Sequence, residues 1–253
     1  MKKNLLRNDI RFFCHLLNNV LKYGRDGYSK YVVNKDSKLV FLGIPKGANS
    51  SIKVAMFHLD CGDDQSVHKV MSQFTYNQYL NRDDKDLYCF SVVRNPFDRL
   101  VSCYYDKVQM LGTGKNNVLY HYLFGYLRGV SDFASFIRKV SALPDFIMNR
   151  HFAPQYYMLY YRSGKCKADF IGKYENLEED LRPIMEKYNF APLPHYNSSN
   201  KGKKRDWRDS YTLETAEIVH RKFKKDFEAF GYEDSYRELI EYLKQKDNNR
   251  NEQ

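Results

Sequence analysis

Twice along the chain a short, unbroken apolar run ends in a tight proline-containing turn and passes into a helical pattern. Leu39-Val-Phe-Leu-Gly-Ile44 is broken by Pro45, Lys46, Gly47, Ala48 and Asn49, and helical spacing follows from Ser50 to about Leu59. Tyr88-Cys-Phe-Ser-Val-Val93 is broken at Arg94-Asn95-Pro96, helical periodicity holds over 97–110, and Gly112-Thr-Gly114 closes it. Apolar runs without polar alternation suit strands buried on both faces, the habit of a parallel sheet covered by helices. Proline at the first turn of a helix sacrifices no hydrogen bond. Phe170-Ile-Gly-Lys-Tyr174 reads as a third strand and Leu177 to Tyr188 as a third helix. The acidic Glu178, Glu179 and Asp180 stand in its first turn, where the helix dipole favours them. The alternation predicts an α/β fold with a central parallel sheet flanked by helices.

The remaining chain reads as helix and loop. Asp132 to Val140 is a short helix with Ser131 or Asp132 as its cap. Pro144 and Pro154 frame a tyrosine-rich segment. A long helix spans about Leu213 to Phe230 and stops at Gly231; another covers about 234–245, followed by a mobile polar tail. Residues 4–22 form an amphipathic pattern, with Leu6, Ile10, Phe13, Leu17 and Val20 at helical spacing. Its plainer reading is a helix docked on the domain. The alternative is attachment to a membrane surface or a partner, aided by Lys2, Lys3, Arg7 and Arg11.

Composition narrows the function classes. No apolar run is long enough to span a bilayer, and Arg7, Asp9 and Arg11 interrupt any signal-peptide core. Cys14, Cys61, Cys89, Cys103 and Cys166 are scattered and odd in number, which speaks against a disulfide scaffold or a zinc site. The expectation is a cytoplasmic protein, membrane-associated if the N-terminal helix binds lipid. Lys and Arg total 41 against 31 Asp and Glu, a net charge of +10 that attracts polyanions.

Two segments carry the chemistry. Gly43-Ile-Pro-Lys-Gly-Ala-Asn-Ser-Ser51 joins a strand to a helix, and such a loop turns backbone N–H groups toward an anion. Lys46 adds a charge, and Ser50 and Ser51 add hydroxyls. It is not a Walker loop, because Ala48-Asn49-Ser50 stands where Gly-Lys-Ser/Thr belongs. Arg94 lies at the C-terminal end of a predicted parallel strand, the edge where open α/β sheets bind ligands. Its guanidinium can fork onto a phosphate, and Ser102 on the following helix can donate to the same group. Read singly, each segment serves equally well as a structural turn or a helix cap.

Together they resemble the paired signatures of sulfotransferases that use 3′-phosphoadenosine 5′-phosphosulfate (PAPS), in particular the carbohydrate sulfotransferases of the chondroitin, dermatan and HNK-1 type. The first signature, I-P-K-x-A-x-T-x-x-K, is matched by Ile44, Pro45, Lys46, Ala48, Ser50 in place of Thr, and Lys53. The second, R-x-P-F-x-R-L-V-S-x-x-x-x-K, is matched by Arg94, Pro96, Phe97, Arg99, Leu100, Val101, Ser102 and Lys107. His151-Phe-Ala-Pro-Gln155, Asp169 to Asp180 and Asp226 to Tyr232 also resemble that family, so the likeness spans about 38–232. It implies a P-loop-like sulfotransferase fold with an N-terminal helix over 1–27, a sulfotransferase domain over 28–232, and a C-terminal helix and tail over 233–253. It further implies that Pro45, Lys46, Gly47, Ala48, Asn49, Ser50 and Ser51 hold the 5′-phosphosulfate, and that Arg94 and Ser102 hold the 3′-phosphate. The family's membrane anchor and lumenal cysteines have no counterpart here, which suggests a compact microbial relative. Residues 115–165, expected to shape the acceptor pocket, match poorly outside the His151 segment.

Sulfuryl transfer, like phosphoryl transfer, needs positioning and charge stabilisation more than covalent catalysis. Lys46 is expected to meet charge on the leaving 5′-phosphate oxygen. The acceptor hydroxyl needs a base, and histidine suits neutral pH. The resemblance favours His68, since related enzymes carry a histidine in the matching interval; His151 is the competing candidate. His15, His58, His121, His195 and His220 read as structural. No metal is implied. The basic stretch from Lys201 to Arg208 is either a solvated charge run or a loop closing over the nucleotide. Asn49-Ser-Ser51 and Asn197-Ser-Ser199 are glycosylation sequons expected to be unused. The expected function is sulfation of a carbohydrate hydroxyl from PAPS. The alternatives are sulfation of a protein tyrosine or a lipid, or a basic nucleotide- or nucleic-acid-binding module without transfer; the lack of a nucleic-acid motif weighs against the last.

Overall fold

The computed structural model describes residues 8–11, 13–14, 17–18, 30–60, 64–71, 74–76, 86–109, 119–194 and 206–251. In chain order the elements are β1 (Tyr31–Asn34), β2 (Leu39–Leu42), α1 (Asn49–Phe57), α2 (Asp64–Met71), β3 (Thr75–Tyr76), β4 (Tyr88–Val93) and α3 (Pro96–Cys103). They continue with α4 (Phe133–Ala142), α5 (Tyr156–Leu159), β5 (Phe170–Lys173), α6 (Leu177–Lys187), α7 (Leu213–Lys222), α8 (Lys224–Phe230) and α9 (Glu233–Asn251). The chain folds into two compact units. One comprises Arg25–Arg94 and Gln155–Lys203; the other comprises Met1–Gly24, Asn95–Pro154 and Lys204–Gln253.

The first unit holds the sheet, in the order β3-β1-β2-β4-β5. The three strands expected from the sequence are β2, β4 and β5, and they pair in parallel, with Leu39 opposite Tyr88 and Phe90 opposite Phe170. The expected parallel centre is therefore present. It is extended by two antiparallel strands that the sequence reading did not foresee, β1 against β2 and β3 against β1. The β1–β2 hairpin is closed by Asn34, whose side-chain oxygen accepts from the Ser37 N–H, while Lys38 takes a positive φ of 52°. Alternate residues Leu39, Phe41, Phe90 and Val92 pack with Ile52 and Met56 of α1, Val67 and Met71 of α2, and Leu181 and Ile184 of α6. Val40, Leu42, Cys89, Ser91 and Val93, pointing the other way, are buried too, which is why the runs read as continuously apolar. At the opposite end of the sheet Asp169 extends the pairing: its N–H donates to the Cys89 carbonyl, and its carboxylate accepts from the Cys89 N–H at 2.7 Å.

The second unit is helical. Asn95 caps α3 by accepting from the Phe97 N–H, with Pro96 at the first helical position. The helix expected to run to residue 110 is α-helical only to Cys103; a π-helical turn follows over Tyr104–Val108, where Tyr104 packs against Phe133 and Phe136. Asp132, one of the two expected caps, holds α4 through a reciprocal pair of bonds with Ser135. The single helix expected over 213–230 is two, α7 and α8, broken at Phe223. The break turns Phe223, Phe227 and Phe230 all inward. Gly231, at φ 67°, ends α8 as expected, and α9 continues past the expected 245 to Asn251. Residues 8–11, 13–14 and 17–18 are helical within the expected N-terminal helix. Asp9 is buried there, accepting from Arg128 at 2.5 Å and pairing with His121 at 2.6 Å. Those two partners hold its carboxyl below the usual carboxylate range, against the opposing effect of burial. No described helix is long and apolar enough to cross a membrane.

Arg99 is the largest fully buried side chain. It donates to the carbonyls of Ala153 (3.0 Å) and Arg150 (2.9 Å), pinning the turn that carries His151. Arg99→Leu would leave two acceptors without their charged donor. We expect a loss of about 2–4 kcal/mol in urea unfolding. A loss below about 1 kcal/mol would show that the desolvation of the guanidinium offsets its bonds.

Candidate active site

In the sheet unit, the loop leaving β2 is built to bring backbone close to β4. Its first turn is closed by the Gly47 N–H donating to the Ile44 carbonyl. A Cβ on Gly47 would stand 3.0 Å from the Val92 carbonyl oxygen, so any side chain here would push the loop a few tenths of an ångström off the strand. A Cβ on Gly43 would meet Asn49 Oδ1 at 2.3 Å, and that buried oxygen has no hydrogen-bond partner among the described residues. Lys46 and Ala48 both take the left-handed backbone region, at φ 71° and 55°, which costs side-chain-bearing residues energy. Ala48 is the N-cap of α1 and has no side chain to cap it. The first-turn N–H groups of Asn49, Ser50 and Ser51 have no intrahelical acceptors, and they carry the positive end of the helix dipole. Pro45 is buried, and Lys46 and Ser50 are half-buried.

Arg94 ends β4 on the same sheet edge. Its Nη1 donates to the Lys46 carbonyl at 2.9 Å, so the two predicted cationic residues meet through the lysine's backbone. The guanidinium lies over the Tyr174 ring at 4.1 Å from its centre. Gln155, fully buried, brackets the Arg94 backbone: its Oε1 accepts from the Arg94 N–H at 2.9 Å and its Nε2 donates to the Arg94 carbonyl at 2.8 Å. The side chain of Gln155 thus mimics one rung of a strand ladder. Beside it, Asp180 of α6 accepts from the Lys173 N–H at 2.6 Å and steadies the end of β5. The sequence reading gave Gln155, Tyr174 and Asp180 no task. The only signal was that all three sit in stretches resembling the family.

The other predicted residues divide between the units. Ser102 is half-buried in the last turn of α3, in the helical unit. His68 lies on α2 in the sheet unit; its side chain, like His15, His195, Gly112 to Gly114 and Lys201 to Arg205, is outside the described residues. His151 sits in the turn held by Arg99. Asn149 Oδ1 accepts both from the His151 backbone N–H at 3.0 Å and from its Nδ1 at 2.7 Å. A backbone N–H can only donate, so the atom it meets is the amide oxygen, and the ring nitrogen facing that oxygen carries the proton. The basic lone pair of a neutral His151 ring is therefore on Nε2. His58 bonds to the Asn189 carbonyl at 2.6 Å, and His220 stacks on Tyr236 and meets Glu233. At the end of the basic stretch, Arg208 is tied to Asp206 and lies over Tyr242. Among the described residues no group of three or more His, Cys, Asp or Glu is placed to hold a metal ion.

The donor set at the sheet edge is helix N–H groups, hydroxyls and two cations, which is the chemistry of a phosphate or sulfate ester. Gln155→Glu tests how far Arg94 depends on its bracket. A carboxylate can accept from the Arg94 N–H but cannot donate to the Arg94 carbonyl, whereas a protonated carboxyl can do both. The folded state then raises the pKa of the new residue. The variant should be most destabilised at neutral pH and regain stability relative to wild type as pH falls through the raised folded-state pKa, the recovery being complete once pH is below about 4.3, the ordinary value for Glu. Urea titrations at pH 7 and pH 4 check this; an equal deficit at both would show that the Nε2 bond contributes nothing.

Residues 29–233 match the sulfotransferase family. Carbohydrate sulfotransferase 11 of Mus musculus is 26% identical over 238 residues, a match covering 79% of this chain and 66% of that relative. The Rattus norvegicus protein of the same name gives the same identity and coverage. The chain thus spans just under two thirds of the length of these curated relatives. No solved structure matches it significantly. The family match runs through the β2–α1 loop, Arg94 with its Gln155 bracket, and Tyr174, so the chain belongs to the sulfotransferase family.

Proposed function

We propose that this sulfotransferase moves the sulfuryl group of PAPS to a hydroxyl of a carbohydrate acceptor. The observation that carries the donor assignment is the meeting of Lys46 and Arg94 at one sheet edge, beside a helix N-terminus without a side-chain cap. The carbohydrate class rests on the relatives named carbohydrate sulfotransferase 11. The site fits the donor's charge: every polar side chain assigned to it can donate hydrogen bonds, Lys46 and Arg94 are cationic, and the acceptor-only Asn49 amide oxygen is turned toward Gly43. Bound PAPS would supply a sulfuryl group on a phosphate leaving group. Lys46 then offsets charge at the 5′ end, with Ser50, Ser51 and the α1 N–H groups binding the same end. Arg94 and Ser102 bind the 3′-phosphate. A histidine takes the acceptor's proton; His68 is the first candidate and His151 the second.

Binding of 3′-phosphoadenosine 5′-phosphate (PAP) against AMP by calorimetry tests the donor half. PAP should bind at least about tenfold more tightly, because a charge-assisted hydrogen bond to the added phosphate is worth about 1.5–3 kcal/mol. Equal affinities would remove the 3′-phosphate assignment. Labelled PAPS offered with glycans, a tyrosyl peptide and a lipid alcohol tests the acceptor half; label on the peptide or lipid alone would redirect it.

The base is decided by two variants. His68→Ala is expected to slow turnover by about 10²–10⁴-fold, the usual cost of losing a positioned base, with PAP affinity kept. His151→Ala should then remain active. The reverse pattern would move the base to the turn held by Arg99 and Asn149.

A further inference from the structure

We propose that Arg94 has a second task beyond meeting a 3′-phosphate: it holds the backbone of Lys46 in its left-handed conformation, so that Arg94 governs binding at the 5′ end of the donor as well. The inference rests on the donor reading above, and it concerns how two of its residues work together.

Lys46 bears a side chain at φ 71°. Such a conformation persists only where the surroundings over-determine it. The neighbours do so from both sides. Pro45 restricts the chain on one flank, and Gly47 is held under the Val92 carbonyl on the other. Between them, the Lys46 carbonyl is fixed by Arg94 Nη1 at 2.9 Å. The donor of that bond is itself immobilised. Both backbone polar groups of Arg94 are taken by the buried Gln155 amide, and its guanidinium lies over the Tyr174 ring. A fork with five N–H donors can grip a carbonyl along one edge and an anion along another. Coupling of this kind is reciprocal: whatever fixes the guanidinium also fixes the lysine's backbone, and the converse.

AMP is the discriminating probe, since it has the 5′-phosphate and lacks the 3′-phosphate. A guanidinium that serves only the 3′-phosphate has no influence on AMP. Arg94→Met removes every donor and keeps an unbranched chain over Tyr174; Arg94→Ala gives the same reading should the methionine variant not fold. Calorimetry is expected to show AMP affinity falling about tenfold in the variant, equivalent to one hydrogen bond of ordinary strength, with PAP affinity falling further. In a Lys46→Gly background, where glycine adopts positive φ freely and there is no lysine side chain to place, the same Arg94 change should leave AMP affinity unaltered. Unchanged AMP affinity in Arg94→Met with a large loss for PAP overturns the proposal and leaves the donor reading standing. An equal AMP loss in both backgrounds also overturns it, since Arg94 would then act without Lys46. Failure of the donor reading is a separate result, equal affinity of the wild type for PAP and AMP.

Discussion

A buried amide holds the end of a strand. Gln155 gives Arg94 the two backbone bonds that a neighbouring strand would otherwise supply, at the point where β4 has run out of partners. An N–H or C=O buried without a partner costs about as much as a lost hydrogen bond, so the strand end would be an unstable place for a functional side chain. With the bracket in place the Arg94 side chain leaves from a fixed Cα, stacks on Tyr174 and reaches the Lys46 carbonyl. The geometry of the sheet edge follows from that one residue, which the binding chemistry itself never needs to touch.

Two arginines of one motif illustrate how differently the same side chain is used. Arg94 is half-buried at the sheet edge, and Arg99 is fully enclosed in the helical unit. The charge of Arg99 is spent on two carbonyls of the turn that bears His151. A motif therefore mixes residues placed at the sheet edge with residues that shape the chain elsewhere, and residue type does not separate them. Burial and the identity of the acceptor do.

The parallel centre of the sheet was legible because strands buried on both faces leave nearly continuous apolar runs, as β2 and β4 do; β5 is only partly buried and was read from a short apolar start ahead of a helical pattern. β1 and β3 were missed for the opposite reason. Thr75–Tyr76 is two residues, too short for a pattern, and Tyr31–Asn34 offers only three apolar residues between Lys30 and Asn34; both depend on pairing that is only visible once the chain is folded. The break at Phe223 was invisible because 213–230 keeps helical composition throughout, and tertiary burial of three phenylalanines overrides propensity. At the site, the loop and Arg94 could be singled out only through their joint resemblance to the family's paired signatures. Gln155 and Tyr174 could not, since their partners lie 61 and 80 positions away in the chain and glutamine and tyrosine have many other uses.

The Arg94–Gln155 pair also marks where the chain departs from the sheet unit and where it comes back: residues 95–154 form one continuous excursion whose two ends are fastened to each other. Closing a longer loop at a fixed pair of ends is thermodynamically cheap, about 0.6 kcal/mol for each doubling of length. Evolution can thus lengthen, shorten or rewrite this excursion while the residues on the sheet edge keep their register. Much of the stretch that resembles the family least falls inside it, so its sequence can diversify while the sheet edge stays the same.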